Sequence, residues 1–253
     1  MDEPLRVDLN CDLGESFGRY VLGQDAAMMP LITSANIACG FHAGDPGVMR
    51  ETVALVKQNN VALGAHPGYP DLQGFGRRHI DLSPQEIRDM LLYQLGAVDA
   101  FARFAGIPLV HVKPHGALYN LAARDLDVAT AVAGAVFEFD PSLILVGLAG
   151  SKLVDAGQTV GLSVANEGFP DRAYLANGQL MPRNQEGAII HDPQAVAENA
   201  LRLVRDGIIL LGEKIRIDTL CLHGDHPHAV ENARTIRKCL AAEGILISPL
   251  VTM

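Results

Sequence analysis

The chain has 253 residues, long enough for one large α/β domain or two small ones, and nearly half of them are apolar, enough to bury a sizeable core. Its formal net charge of -9, from 29 acidic and 20 basic residues, argues against tracking a phosphate backbone and so against nucleic acid as a partner. No apolar run approaches the roughly 20 residues of a membrane span, no polybasic stretch suits a membrane surface, and the acidic start Met1-Asp2-Glu3-Pro4 has no apolar signal core.

Taken in chain order, short apolar runs alternate with helical patterns. A strand is predicted at 5–10, then one at 32–38 and a helix at 47–60 behind the Asp45-Pro46 start signal. A strand at 61–66 precedes a helix at 84–105, opened by the capping box Ser83-Pro84-Gln85-Glu86 and stopped at Gly106. Further strands are expected at 109–114, 143–148, 162–167 and 219–223, with a weaker one at 188–191. Helices are expected at 127–139, 151–156, 193–206 and 227–242, the third capped by Asp192-Pro193. The stretch 168–187 is the longest irregular segment and suits a hairpin or lid. With no linker or compositional break, residues 1–253 read as one domain.

Such alternation implies right-handed βαβ crossovers and a parallel sheet, either a closed barrel or an open doubly wound sheet. The strand ends decide between them. Asn10-Cys11-Asp12, Cys39-Gly40-Phe41-His42, His66-Pro67, Lys113-Pro114-His115, Glu167 and His223-Gly224-Asp225 all end strands in polar, reactive side chains. A barrel gathers every strand C-terminus on one face, whereas an open sheet uses mainly those at its switch point. The expected fold is therefore an α/β barrel of seven parallel strands. Cys11, Cys39, Cys221 and Cys239 form no C-x-x-C pair, which predicts reduced thiols in a cytoplasmic protein.

The first strand closes on three carboxylates, Asp8, Asp12 and Glu15, with Asn10 among them. Alternation sends Asp8, Asn10 and Asp12 to one side of the strand, which in a barrel is the lumen. The blander alternative is a solvated loop with an Asx turn, but Asp8 lies inside the strand. His42, His66, His115 and His223 stand at equivalent strand ends. One such histidine is usually structural; four point to a shared site for proton transfer or, with Asp, for a metal. Lys113, inside an apolar strand, is costly unless it faces a polar lumen or an anion. Asp45 and Asp225 each follow a His-containing turn and suit helix caps, and His226 and His228 read as solvated first-turn residues. Arg172 and Arg183 could clamp an anion, although an exposed loop arginine is the commoner case. Gly14-Glu15-Ser16-Phe17-Gly18 matches a nucleophile elbow, yet only one strand precedes it, so chance explains it better. No phosphate-binding P-loop, dinucleotide-binding glycine motif or H-E-x-x-H occurs.

These residues carry a resemblance. The run Val7 to Glu15 resembles the opening signature of the LamB/YcsF family, and the likeness continues through Ala35–Asp45, Gly64–Asp71, Gly74–Arg78, Val112–Asn120 and His223-Gly224-Asp225. Two positions depart from it: Pro170 replaces the usual Ala after Glu167-Gly168-Phe169, and Glu186 stands where Pro is common. The resemblance implies a barrel similar to the glycoside hydrolase/deacetylase superfamily. It implies ATP-coupled opening of the lactam of 5-oxoproline to L-glutamate, with ATP as co-substrate and B and C subunits as partners. Metal-binding relatives in the wider superfamily keep a divalent metal open, and a homo-oligomer is compatible with all of this.

An unstrained lactam is a poor electrophile, so ATP coupling makes sense if the carbonyl oxygen is phosphorylated before water attacks. On that view Asp12 or Glu15 is the base, His42, His66 and His115 donate protons or stabilise charge, and Lys113 contacts phosphate or oxyanion. Substrate contacts are expected from Asp8, Asn10, Asn36, Asp45, Asn120, Glu167, Asp171, Arg172, His223 and Asp225. Two rivals remain: a metal-dependent deacetylase-like amidohydrolase, and a non-catalytic subunit that delivers substrate.

Overall fold

In the computed structural model, which describes residues 4–175, 180–182, 185–210, 212–222 and 228–250, the period-two pattern of the first strand sets the architecture. Val7, Leu9, Cys11 and Leu13 of β1 (Arg6–Leu13) face outward into the main core, while Asp8, Asn10 and Asp12 share the opposite face. Six more strands follow the same logic: β2 (Ser34–Ala38), β3 (Ala62–His66), β4 (Leu109–Val112), β5 (Ile144–Leu148), β6 (Ser163–Gly168) and, later, β9 (Thr219–Leu222). They pair in parallel in that order, and β9 returns to β1, closing a seven-stranded barrel.

Around it run α2 (Pro46–Asn59), α3 (Pro84–Ala105), α5 (Leu126–Phe139), α6 (Lys152–Val160), α7 (Pro193–Asp206) and α8 (Ala229–Ala242). The cap signals operate as expected. Asp45 accepts from the Gly47 and Val48 amides, Ser83 and Glu86 form a reciprocal capping box, and Asp192 accepts from Ala195. Gly106 ends α3 in the left-handed region.

Several elements lie outside the sequence expectation. These are α1 (Asp25–Met28) with the 3-10 turn Met29–Leu31, α4 (Gly116–Ala122), the antiparallel ribbon of β7 (Ile208–Leu210) and β8 (Glu213–Ile215), and β10 (Leu246–Ile247), which pairs with the start of β1. The weak strand expected at 188–191 is not one. Among the described residues, isolated bridges from Arg172 to Ile189 and from Tyr174 to Leu180, with bonds from the Ala173 amide to the Ala188 carbonyl and from the Ile190 amide to the Asp171 carbonyl, tie the irregular segment to itself without extending into a strand. All four cysteines are free thiols, and no helix among the described residues is long and apolar enough to cross a membrane.

The lumen is filled in layers. At the floor the Asp8 carboxylate accepts from the Thr33 and Ser34 hydroxyls on one oxygen and from Thr219 on the other. Burial nevertheless pushes its carboxyl up to about 6. Against β5 and β6 the lumen is apolar, with Ile144, Val146 and Ala165 packed together. Gly64 of β3 sits opposite His111 of β4, and a methyl group there would lie 2.0 Å from the His111 Nε2.

Two outcomes follow from this packing. Gly64→Ala should destabilise by about 1–3 kcal/mol or more, since a buried ring must move, and urea unfolding reads this directly. Asp8 binds its proton more tightly when folded than when unfolded, so its contribution is present below pH 4 and lost as pH rises through about 6. The shift amounts to roughly 3 kcal/mol. Unfolding of the native chain relative to Asp8→Asn should therefore shift toward lower relative stability between pH 4 and 7; a pH-independent difference would contradict the assignment.

Candidate active site

Three strands bring charge to the barrel's C-terminal mouth. Just past β4, Lys113 is 3 % exposed, and its Nζ lies 2.8 Å from Glu167 Oε1 on β6 and 3.0 Å from Asp12 Oδ1 on β1. It also reaches Asn10 Oδ1 at 3.2 Å and the Cys221 thiol at 3.1 Å. Burial opposes the ammonium, but Asp12 and Glu167 outweigh it and hold its pKa above the ordinary lysine value. The amides complete the network. Asn10 Nδ2 donates to Glu167 and Thr219, and Asn36 Nδ2 donates to Asn10 Oδ1 and Asp12 Oδ1. Tyr119 of α4 donates to the other Glu167 oxygen at 2.7 Å. Burial pushes the Cys221 thiol up, leaving it a neutral neighbour rather than a nucleophile.

Beside this network lies a group of imidazoles. His66 Nδ1 is 2.7 Å from the Lys113 carbonyl, and His115 Nε2 is 2.8 Å from the Phe75 carbonyl. A carbonyl only accepts, so both nitrogens carry the hydrogen. That leaves His66 Nε2 and His115 Nδ1 as lone pairs facing each other at 3.0 Å. Asp12 Oδ2 lies 3.3 Å from the first, and Glu15 Oε1 lies 3.8 Å from the second. His42 stacks on His115 with ring centres 3.8 Å apart, is fully buried, and has no hydrogen-bond partner at either nitrogen among the described residues. Burial, then the neighbouring imidazoles, hold His42 well below the usual histidine range; burial and His66 lower His115 to about 3.

Facing lone pairs need a positive centre between them, either a shared proton or a cation. One ligand atom from each of Glu15, His42, His66 and His115 lies within 4.8 Å of the others. Three imidazoles and a carboxylate are a donor set that suits zinc or a similar divalent ion.

A loop leaving β3 roofs the cluster. Gln94 of α3 bonds both the amide and carbonyl of Gly68, and an Asp71–Arg78 ion pair braces the turn. At its tip Phe75 adopts φ 54, rare for a residue with a Cβ, and this delivers its carbonyl to His115.

A cavity of about 750 Å3 opens at the mouth. Asp12, Glu15, His66, Lys113, His115, Asn120 and Arg172 line it. Arg172 is itself mostly buried and donates to the Met181 carbonyl at 2.6 Å. Asn10, Asn36, Glu167 and His42 stand directly behind that lining, in contact with it. Asp8 lies a layer lower at the floor, Asp45 is spent on the α2 cap and the Gly18 amide, and Asp171 borders a separate small crevice. His223, Asp225, Arg183 and His226 lie outside the described residues. His228 is exposed beside Glu231.

Sequence reasoning gave no role to Tyr119, Cys221, His111 or Phe75. Cys221 and Thr219 were within reach, because they share alternation with the polar end of β9. Tyr119 required recognising α4, which places it one turn after His115.

Comparison with known proteins agrees with this architecture. The LamB/YcsF family model matches residues 7–253. The A component of 5-oxoprolinase from Pyrococcus abyssi is 54% identical over 250 residues, covering 97% of this chain and 98% of that protein. The crystal structure of a lactam utilization protein from Thermus thermophilus superposes with a TM-score of 0.90 at 49% identity, covering 97% of this chain and 100% of that one. A family 4 carbohydrate esterase from Streptomyces lividans, at 11% identity, covers 98% of this chain and 93% of its own with a TM-score of 0.51, a likeness of fold alone that sets the barrel among deacetylase-like folds. With a full-length match of this kind, the chain belongs to the LamB/YcsF family.

Proposed function

We propose that this chain is the lactam-opening barrel component of a cytoplasmic, ATP-dependent 5-oxoprolinase that works with B and C subunits. The observation that carries the reading is the full-length 54% identity to a protein named as the A component of 5-oxoprolinase. The acid, ammonium and imidazole groups at the barrel mouth supply the chemistry this activity requires.

Amide resonance protects the lactam carbonyl, and transfer of the ATP γ-phosphoryl to its oxygen removes that protection and releases ADP. Water then adds to the carbon, the ring C–N bond breaks as nitrogen takes a proton, and the resulting acyl phosphate loses phosphate to a second water. Asp12 and Glu15 are the carboxylates that reach the cavity and can accept the water proton. His66 Nε2, 3.3 Å from Asp12 and beside the His115 ring, is placed to pass the water proton on to the leaving nitrogen. Lys113 presents a charge already fixed in place, suited to a developing oxyanion. Arg172, on the cavity wall, suits the substrate carboxylate.

One observation favours a second component, a divalent cation at Glu15, His42, His66 and His115: the facing lone pairs beside an imidazole with no hydrogen bond among the described residues. Such an ion would polarise a carbonyl or acidify water.

In the reconstituted complex, 5-oxoproline-dependent ATP hydrolysis should require this chain, and Asp12→Asn should lower turnover by about 100-fold or more while the chain stays folded. Normal lactam opening by the variant would remove Asp12 from the chemistry. Elemental analysis should find roughly one divalent ion per chain, lost in His42→Ala and His115→Ala. A metal-free chain with full turnover in chelator would assign the cluster to proton transfer alone.

A further inference from the structure

We propose that the N-terminal end of α6 is a phosphate-binding subsite, opening into the same cavity as the acid–imidazole cluster but built from different residues. Ser151 is the N-cap residue of this nine-residue helix, and its hydroxyl makes no cap hydrogen bond. The residue is only 6 % exposed and lines the cavity, yet its Oγ has no hydrogen-bond partner among the described residues. A buried hydroxyl at a helix start normally turns onto the first-turn amides. One that does not is a donor held for something else.

The surroundings indicate what it is held for. Of the first-turn amides, Lys152 N–H is used on the Ala123 carbonyl at 3.1 Å, which leaves those of Leu153 and Val154 at the positive end of the helix dipole. That same bond pins the end of α4 to the start of α6, so Arg124 and Lys152 flank Ser151, and both line the cavity. Further along the wall stand Arg77, Lys113 and Arg172, against the carboxylates of Asp12 and Glu15. A chain of net charge -9 thus lines this cavity with an excess of cations.

A hydroxyl, helix amides and two flanking cations are more donors than the two oxygens of a carboxylate can use, and they match a phosphoryl group with three. The cavity is also far larger than a five-membered lactam fills. The inference deepens the 5-oxoprolinase reading and rests on it only for the source of the phosphate, a nucleotide or a phosphorylated lactam.

The test is titration of the full chain with inorganic phosphate, followed by 31P NMR, and separately with ATP. The native chain should bind phosphate saturably. Ser151→Ala and the double variant Arg124→Ala/Lys152→Ala should each weaken it by about tenfold or more, while Lys238→Ala, an exposed charge on α8, should not. Parallel loss of ATP affinity identifies a nucleotide phosphate, and loss confined to inorganic phosphate identifies the phosphorylated substrate; either supports the subsite. No saturable binding by the native chain, or binding unchanged in both subsite variants, overturns it. Lactam-dependent turnover with the partner subunits is recorded alongside: its absence in the native complex counts against the functional reading, whereas phosphate binding alone judges the subsite.

Discussion

An ammonium in the middle of a barrel has few ways to persist. Lys113 does so because Asp12 and Glu167 approach it from opposite strands at hydrogen-bonding distance. A buried charge with one counter-ion removed is expensive, so loss of either carboxylate costs stability even if only one takes part in chemistry. The constraint spreads outward. Asn10 must orient its amide toward Glu167 and its oxygen toward Lys113, Asn36 must then donate to both Asn10 and Asp12, and His111 must meet the Asn36 oxygen. Each member has its orientation set by the next, which is how a polar lumen becomes rigid. The barrel mouth is the open end of this chain of bonds.

Much of this was legible in the residues. Period two along Val7–Leu13 put Asp8, Asn10 and Asp12 on one face, and a lysine within Val110–Lys113 had to find a polar lumen. Cap signals at Asp45, Ser83 and Asp192 located three helix starts because capping is a local interaction. What could not be read is what depends on distance in sequence. The contact between Lys113 and Glu167, and the opposition of His66 and His115, exist only after closure of the barrel. Alternation placed Asp8 in the lumen but not at its floor, since period two gives a side and not a depth. Helix α4 escaped notice because it starts on Gly116 directly after a strand, with no side-chain cap. The strand expected at 188–191 failed for another reason: Ile190 packs against the core, and the pairing of this stretch with 171–173 stops at a single bridge.

The cavity is chemically divided. Toward β1, β3 and β4 it offers carboxylates and imidazoles able to move protons, and toward α4 and α6 it offers cations and a spare hydroxyl. A reaction that first adds phosphate to a neutral amide and then breaks a C–N bond asks for both kinds of surface, one for the group carried in and one for the bond being broken.

The backbone of Phe75 has its own consequence. Its left-handed conformation is held by the braced loop above β3, and its carbonyl decides which nitrogen of His115 bears hydrogen. Lift that loop and His115 loses the acceptor; the imidazole is then free to exchange tautomers and to donate toward His66, abolishing the lone-pair opposition. One backbone carbonyl on the roof therefore sets how many acceptor nitrogens the cluster beneath it presents.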